Sequence, residues 1–177
     1  DGSLRVLAVQ GNIPQCRAWT VEEFEEARDV YLDLTRRYVG VSDPDLVVWP
    51  ETAVPAGITY PLYRESLEAL QEETRTPLLL GAVDYRPLPG AVRTARGWNP
   101  PALVFNTAFL LGEAGDTVEY YDKMHRVPFG EFTPFGEYLP WLVEMIGMGR
   151  DLTPGSEYTL FPLGKGTAAG VNICFED

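Results

Sequence analysis

Leu46-Val47-Val48-Trp49-Pro50-Glu51-Thr52 decides the reading of the fold. Four apolar residues, two of them β-branched, follow an Asp43-Pro44 turn and show no polar alternation, as expected of a strand covered on both faces. Pro50 cannot donate to a ladder, so the strand closes there with a carboxylate at its end. Upstream, Leu4 to Gln10 is a second apolar run closed by Gly11-Asn12 and reads as a buried core strand. Thr20 precedes Val21-Glu22-Glu23, and Phe24, Ala27, Tyr31, Leu34 and Tyr38 recur at helical spacing, which predicts a capped amphipathic helix to about Tyr38, ended by Gly40. Downstream, Pro61 to Thr74 predicts a helix with Leu62, Leu67 and Leu70 inward, and Pro77 introduces an apolar strand from Leu78 to Val83. The order strand, helix, strand, helix, strand predicts an α/β fold.

Further on, Asp84 to Pro101 is rich in Pro, Gly and Arg without periodicity and reads as an exposed loop. Ala102 to Leu111 resumes a strand. Gly112 to Asp116 is a hairpin turn into a partner strand, Thr117 to Tyr121. From Lys123 to Gly155 the chain turns irregular, crowded with Pro, Gly and aromatic residues. Ala168 to Cys174 predicts a last apolar strand with a turn after it.

Composition narrows the function. With 177 residues, 45% of them hydrophobic, the chain is long enough for one domain with a sizeable core. Lys plus Arg number 14 against 26 Asp plus Glu, a formal charge of -12, which argues against nucleic acid as the main partner and against electrostatic docking on anionic lipid. No stretch approaches the roughly 18 apolar residues of a membrane span, and Asp1 to Arg5 lack a signal-peptide layout, so the chain as given reads as a soluble piece. Cys16, Cys174 and the single His125 make neither a disulfide framework nor a zinc site, and neither a metal nor a cofactor is expected.

Three chemistry-bearing residues share strand ends: Glu51, Lys123 and Cys174. In α/β sheets, strand ends gather distant side chains into one crevice. Trp49-Pro50 beside Glu51 suggests partial desolvation, which would raise the carboxyl toward the range of a general base. A turn at Cys174 would set its sulfur beside backbone N–H groups that favour a thiolate and could bind an oxyanion. Lys123 adds a positive charge suited to both. Taken singly, such residues are more often a solvated carboxylate, a solvated ammonium and a small buried hydrophobe.

As an ordered set the three say more. Trp49-Pro50-Glu51, Tyr121-Asp122-Lys123 and Ile173-Cys174-Phe175-Glu176 resemble the three signatures of the nitrilase, or carbon-nitrogen hydrolase, superfamily. Val9-Gln10-Gly11-Asn12-Ile13-Pro14-Gln15 with Trp19, and Val127-Pro128-Phe129-Gly130-Glu131-Phe132-Thr133-Pro134, resemble its apolipoprotein N-acyltransferase family. The resemblance implies a four-layer α-β-β-α sandwich, of which residues 1–177 are the N-terminal part, truncated after the nucleophile strand. The rest of the domain and a multi-span membrane portion lie outside the chain, and the fragment alone is expected to be poorly stable and inactive. The implied reaction moves a fatty acyl chain from a phospholipid donor, through a thioester on Cys174, to the α-amino group of a lipoprotein's N-terminal diacylglyceryl-cysteine. Glu51 is the implied base and Lys123 the oxyanion partner, with Glu131 and Glu176 as supporting carboxylates. The implied setting is the bacterial inner membrane, with this domain on the extracytoplasmic side.

The segment 132–148 carries Phe135, Tyr138 and Trp141 among other apolar residues, more than a loop over an aqueous site normally shows. It reads either as a lid or as a membrane-facing arm that admits acyl chains. Trp19, by the resemblance, lines the same entrance, or else belongs to the core. His125 invites a Cys-His protease reading, which the surroundings of Cys174 do not support. The rival functions are a soluble amidase or nitrilase using the same Glu-Lys-Cys set, and a non-catalytic module of the same fold.

Overall fold

A computed structural model of the chain describes residues 3–14, 20–94, 97–99, 102–136, 138, 141 and 151–176. The elements in chain order are β1 (Val6–Ala8), α1 (Val21–Ser42), β2 (Leu46–Val48), α2 (Pro61–Thr74), β3 (Leu78–Arg86), β4 (Val92–Thr94), β5 (Gly97–Asn99), β6 (Leu103–Leu111), β7 (Thr117–Asp122), β8 (Phe161–Pro162) and β9 (Ala168–Ala169). A five-stranded mixed sheet runs in the order β1-β2-β3-β6-β7, parallel across its first three strands and antiparallel across the last three.

Period-two alternation divides the sheet into two faces. Val47, Trp49, Leu78, Leu80, Phe109 and Leu111 pack under the helices with Tyr31, Tyr63, Leu67 and Leu70. Leu46, Ala108, Leu110 and Tyr121 point the other way and are covered by Phe161 and Ile173. The apolar run at 46–49 is therefore buried on both sides, as its lack of alternation predicts. This is an α/β nitrilase-like arrangement: a helix layer and a sheet make the α-β half of the expected sandwich. Among the described residues the second sheet is represented by the two-stranded β8–β9 pair.

Several boundaries differ from the sequence reading. The N-terminus of α1 is a capping box, with Thr20 Oγ1 accepting from Glu23 N and the Glu23 carboxylate accepting from Thr20 N. Its C-terminus lies beyond Gly40, because one glycine costs a helix only about 1 kcal/mol. The helix ends instead at Asp43, which takes a left-handed conformation (φ 44) ahead of Pro44. α2 has the predicted bounds, with proline at its start and Arg75 left-handed at its end. β1 is not a buried core strand: it lies at the sheet edge with Val6 and Ala8 exposed. β3 runs on to Arg86, and the expected loop contains the β4–β5 hairpin.

The largest correction concerns the nucleophile strand. Of the run Ala168 to Cys174, only Ala168–Ala169 forms a strand, and it pairs with β8 rather than with the central sheet. The reason is local. Ile173 N donates to Glu176 Oε2 at 3.0 Å, so the segment before Cys174 is closed by a side chain three residues on rather than by a neighbouring strand.

Candidate active site

β2 delivers Glu51. Trp49 N donates to Leu79 O at 2.8 Å, continuing the parallel pairing one residue beyond β2, and Gly81 N donates to Pro50 O at 3.2 Å. The turn at Pro50–Thr52 lies so close to β3 that a Cβ at Gly81 would stand 2.6 Å from Glu51 Cα and 2.7 Å from Pro50 O. Thr52 takes a positive φ of 54 to make that turn. The desolvation expected from Trp49 is not realised. Trp49 points to the helix face, where its Nε1 donates to Thr35 Oγ1 at 2.9 Å and its ring stacks on Tyr31, while the Glu51 side chain stays 39% exposed.

β7 delivers Lys123. Its backbone N donates to Asn106 O on β6 at 2.9 Å, and its side chain is 1% exposed. Asp122 anchors this strand end. It receives Thr107 Oγ1 at 2.7 Å and both terminal nitrogens of Arg86 at 2.7 and 2.8 Å, and the guanidinium lies over the Phe105 and Tyr120 rings. Gly155 packs beneath, its N donating to Lys123 O at 2.9 Å, where any side chain would collide with Asp122 O.

A buried ammonium needs a partner, and Glu131 supplies it: Lys123 Nζ lies 2.9 Å from Glu131 Oε1 and 3.9 Å from Glu51 Oε1. A tight turn in which Val127 O accepts from Gly130 N and Glu131 N holds Glu131 in place, with Val127 N donating back to Glu131 Oε2 at 2.8 Å. Asn106 Nδ2 then donates to both carboxylates, at 2.7 Å to Glu51 Oε1 and 3.3 Å to Glu131 Oε1.

Cys174 is exposed, in a left-handed conformation (φ 57) at a bend. An L-residue occupies that region at a cost of roughly 1–3 kcal/mol, and such residues cluster at functional sites. It shares a cleft of about 310 Å³ with Glu51, Asn106 and Gly81, floored by Val48, Leu79, Ala108 and Ile173. Glu51, Lys123 and Glu131 thus form one cluster, and Cys174 lines the same cleft as Glu51.

Glu176 joins the Cys174 bend to the Lys123 loop. Its Oε1 accepts from Met124 N (2.7 Å), Tyr121 Oη (2.9 Å) and His125 N (3.0 Å), its Oε2 from Ile173 N, and its side chain is 2% exposed. Burial alone would raise this carboxyl, but the four donors outweigh burial and hold it below the usual carboxylate range. Burial, and then its bond to the Glu176 carboxylate, push the Tyr121 hydroxyl up to about 12. One expectation changes as a result. The amide of Ile173 beside Cys174 is committed to Glu176 and is not open to an oxyanion.

His125 is exposed and not among the residues lining the cleft. Phe135, Tyr138 and Trp141 are exposed, while Trp19, Cys16 and most of 137–150 lie outside the described residues. Among the described residues no helix is long and apolar enough to cross a membrane, and no cluster of His, Cys, Asp or Glu is placed to hold a metal ion. The residue that sequence reasoning missed is Asn106, whose one signal was a polar side chain inside the apolar run of β6.

The chain belongs to the carbon-nitrogen hydrolase family, whose model it matches across residues 5–177. Amidases share the fold. One from Nesterenkonia sp. AN1, whose active-site cysteine carries the product of Michael addition of acrylamide, superposes with a TM-score of 0.59 at 15% identity over 98% of this chain and 58% of that one. An N-terminal amidase gives a TM-score of 0.54 at 16% identity over 89% of this chain and 33% of that one. In sequence the chain is similar to apolipoprotein N-acyltransferases. It is 31% identical to that of Geobacter metallireducens over 97% of this chain and 31% of the relative, and 37% identical to that of Chlorobaculum tepidum over 78% and 27%. It thus spans about a third of the length of these curated relatives.

Proposed function

We propose that this chain is the acyl-transfer domain of an N-acyltransferase, in which Cys174 carries a fatty acyl group from a phospholipid to the α-amino group of a lipoprotein's N-terminal diacylglyceryl-cysteine. The observation that carries the reading is the clustering of Glu51, Lys123 and Glu131 beside the cleft that holds Cys174, in a chain whose curated relatives bear that name over nearly its full length.

In the first half-reaction Glu51 takes the thiol proton and Sγ attacks the ester carbonyl carbon. Lys123 stabilises the charge that develops on the carbonyl oxygen. Collapse of the intermediate breaks the ester bond, and the departing lysophospholipid oxygen receives the proton from Glu51, leaving a thioester. In the second, the amine attacks the thioester carbonyl and gives a proton to Glu51. The C–S bond breaks, the thiolate recovers its proton, and an amide remains. Glu131 balances the buried Lys123, and Glu176 holds the nucleophile's bend. The exposed aromatics Phe135, Tyr138 and Trp141 support the reading of 132–148 as a membrane-facing arm. The reading implies the outer face of the bacterial inner membrane as the domain's setting.

The second reading is an amidase that hydrolyses its thioester, favoured by the fold shared with amidases. Incubating the natively encoded protein with phospholipid and a diacylglyceryl peptide separates the two. The transferase yields N-acylated peptide and lysophospholipid, whereas free fatty acid without acylated peptide contradicts the transfer reading.

A further inference from the structure

Glu51 has an unusual set of partners for a residue expected to act as a base. Its nearest cation, Lys123, is 3.9 Å from Oε1 and is engaged by Glu131 at 2.9 Å. The short contact to Glu51 comes from the Asn106 side-chain amide, at 2.7 Å. Among the described residues Oε2 of Glu51 has no hydrogen-bond partner, and Glu51 lines the cleft that holds Cys174.

Asn106 is itself held firmly. It pairs with Val83 across β3–β6, and its carbonyl accepts the backbone N–H of Lys123, so one residue fixes the main chain of the lysine and the side chain of the glutamate. The orientation of its amide follows from chemistry: turned over, Oδ1 would face two carboxylate oxygens. Held as it is, Oδ1 is buried without a partner. An orphaned buried acceptor calls for an explanation, because replacing such a group by an apolar one of similar shape commonly leaves a fold no less stable.

We infer that Asn106 is a positioning residue for the reaction. Its Nδ2 bridges Oε1 of Glu51 and Oε1 of Glu131 and so fixes the Glu51 side chain, leaving Oε2 of Glu51 to take the proton of the nucleophile. The inference rests on the acyl-transfer reading only in that Glu51 is the base. Losing the amide frees the Glu51 side chain to leave the position from which Oε2 serves the nucleophile. The charged groups that face Glu51 are Lys123 and Glu131, and both remain in the variants below.

The test uses the natively encoded protein carrying Asn106→Leu, which removes the hydrogens without adding charge, or Asn106→Asp, which keeps the shape. Thioester formation on Cys174 from an activated fatty acyl ester is followed by quenched-flow mass spectrometry, beside thermal unfolding. The expected result is a rate of thioester formation lower by on the order of tenfold in the Leu variant and by more in the Asp variant, with KM for the ester within about twofold and the Leu variant as stable as wild type. A wild-type rate in both variants, a loss carried by KM, activity lost only in step with folding, or failure of both to fold overturns the inference. Glu51→Gln separates the layers. If it is inactive while the Asn106 variants keep the wild-type rate, this inference alone fails; if it still forms thioester, Glu51 is not the base and both readings fall.

Discussion

Replacing Glu176 by Gln should loosen the junction between the nucleophile's bend and the Lys123 loop. The magnitude follows from the four bonds. Hydrogen bonds to a charged acceptor are about twice as strong as neutral ones, so the three donors on Oε1, from Met124, His125 and Tyr121, each lose about 1 kcal/mol when the carboxylate becomes an amide. The new Nε2 would face the N–H of Ile173, and leaving that donor unpaired costs about 1 kcal/mol more. Burying a neutral amide is easier than burying a charge, which offsets about 1 kcal/mol. The net, about 3 kcal/mol, is on the order of a hundredfold in a local opening equilibrium. Hydrogen exchange reads it directly. In Glu176→Gln the amides of Met124, His125 and Ile173 should exchange on the order of a hundredfold faster than in wild type near pH 7, where the difference is fully present. The folded-state pKa of Glu176 is held below its ordinary value of 4.5, so the wild-type advantage is complete above that value. It shrinks as pH falls from there through the depressed folded pKa, because the unfolded state binds the proton first. Equal protection in the two proteins, or a wild-type advantage that grows on acidification, refutes the reasoning.

Gly81→Ala should misplace Glu51, because the added Cβ meets backbone atoms at 2.6 and 2.7 Å rather than a side chain that can swing away. The expected outcome is about 2 kcal/mol of lost stability in thermal unfolding and at least about a tenfold lower kcat. Lys123→Met should lower thioester formation by about a hundredfold or more and destabilise the fold by about 3 kcal/mol, since it strands Glu131 without its cation. The double variant Lys123→Met with Glu131→Gln should recover part of that stability and none of the activity.

What could be read in the amino-acid string was whatever depends on neighbours along the chain. α2 announces itself through a proline at its start and leucines at helical spacing, and both ends fall where expected. The Glu-Lys-Cys set reads in the string as three ordered motifs, but periodicity could not say which strands pair or that Cys174 would sit at a bend rather than at a strand end. The misreadings come from contacts that span the chain. The desolvation assigned to Glu51 took nearness in sequence for contact, whereas the Trp49 indole is engaged by Thr35 and Tyr31 on the helix side. Val171 and Ile173 are apolar because they pack with Leu46, Ala108 and Leu110, which apolar character alone does not distinguish from strand pairing. Asn106 shows in sequence only as a polar residue in an apolar run, because its meaning lies in a register that sets it opposite Val83 and within reach of Glu51. Gly81 likewise looks like an ordinary strand glycine until the Pro50–Thr52 turn is laid against it.

The most direct test of the account is mass spectrometry of the natively encoded protein after brief exposure to phospholipid without acceptor. The account predicts one fatty acyl group on the peptide that contains Cys174, absent in Cys174→Ala, strongly reduced in Glu51→Gln, and discharged as an amide when a diacylglyceryl peptide is added. No adduct on that peptide in wild type, or an adduct that survives in Cys174→Ala, would contradict it.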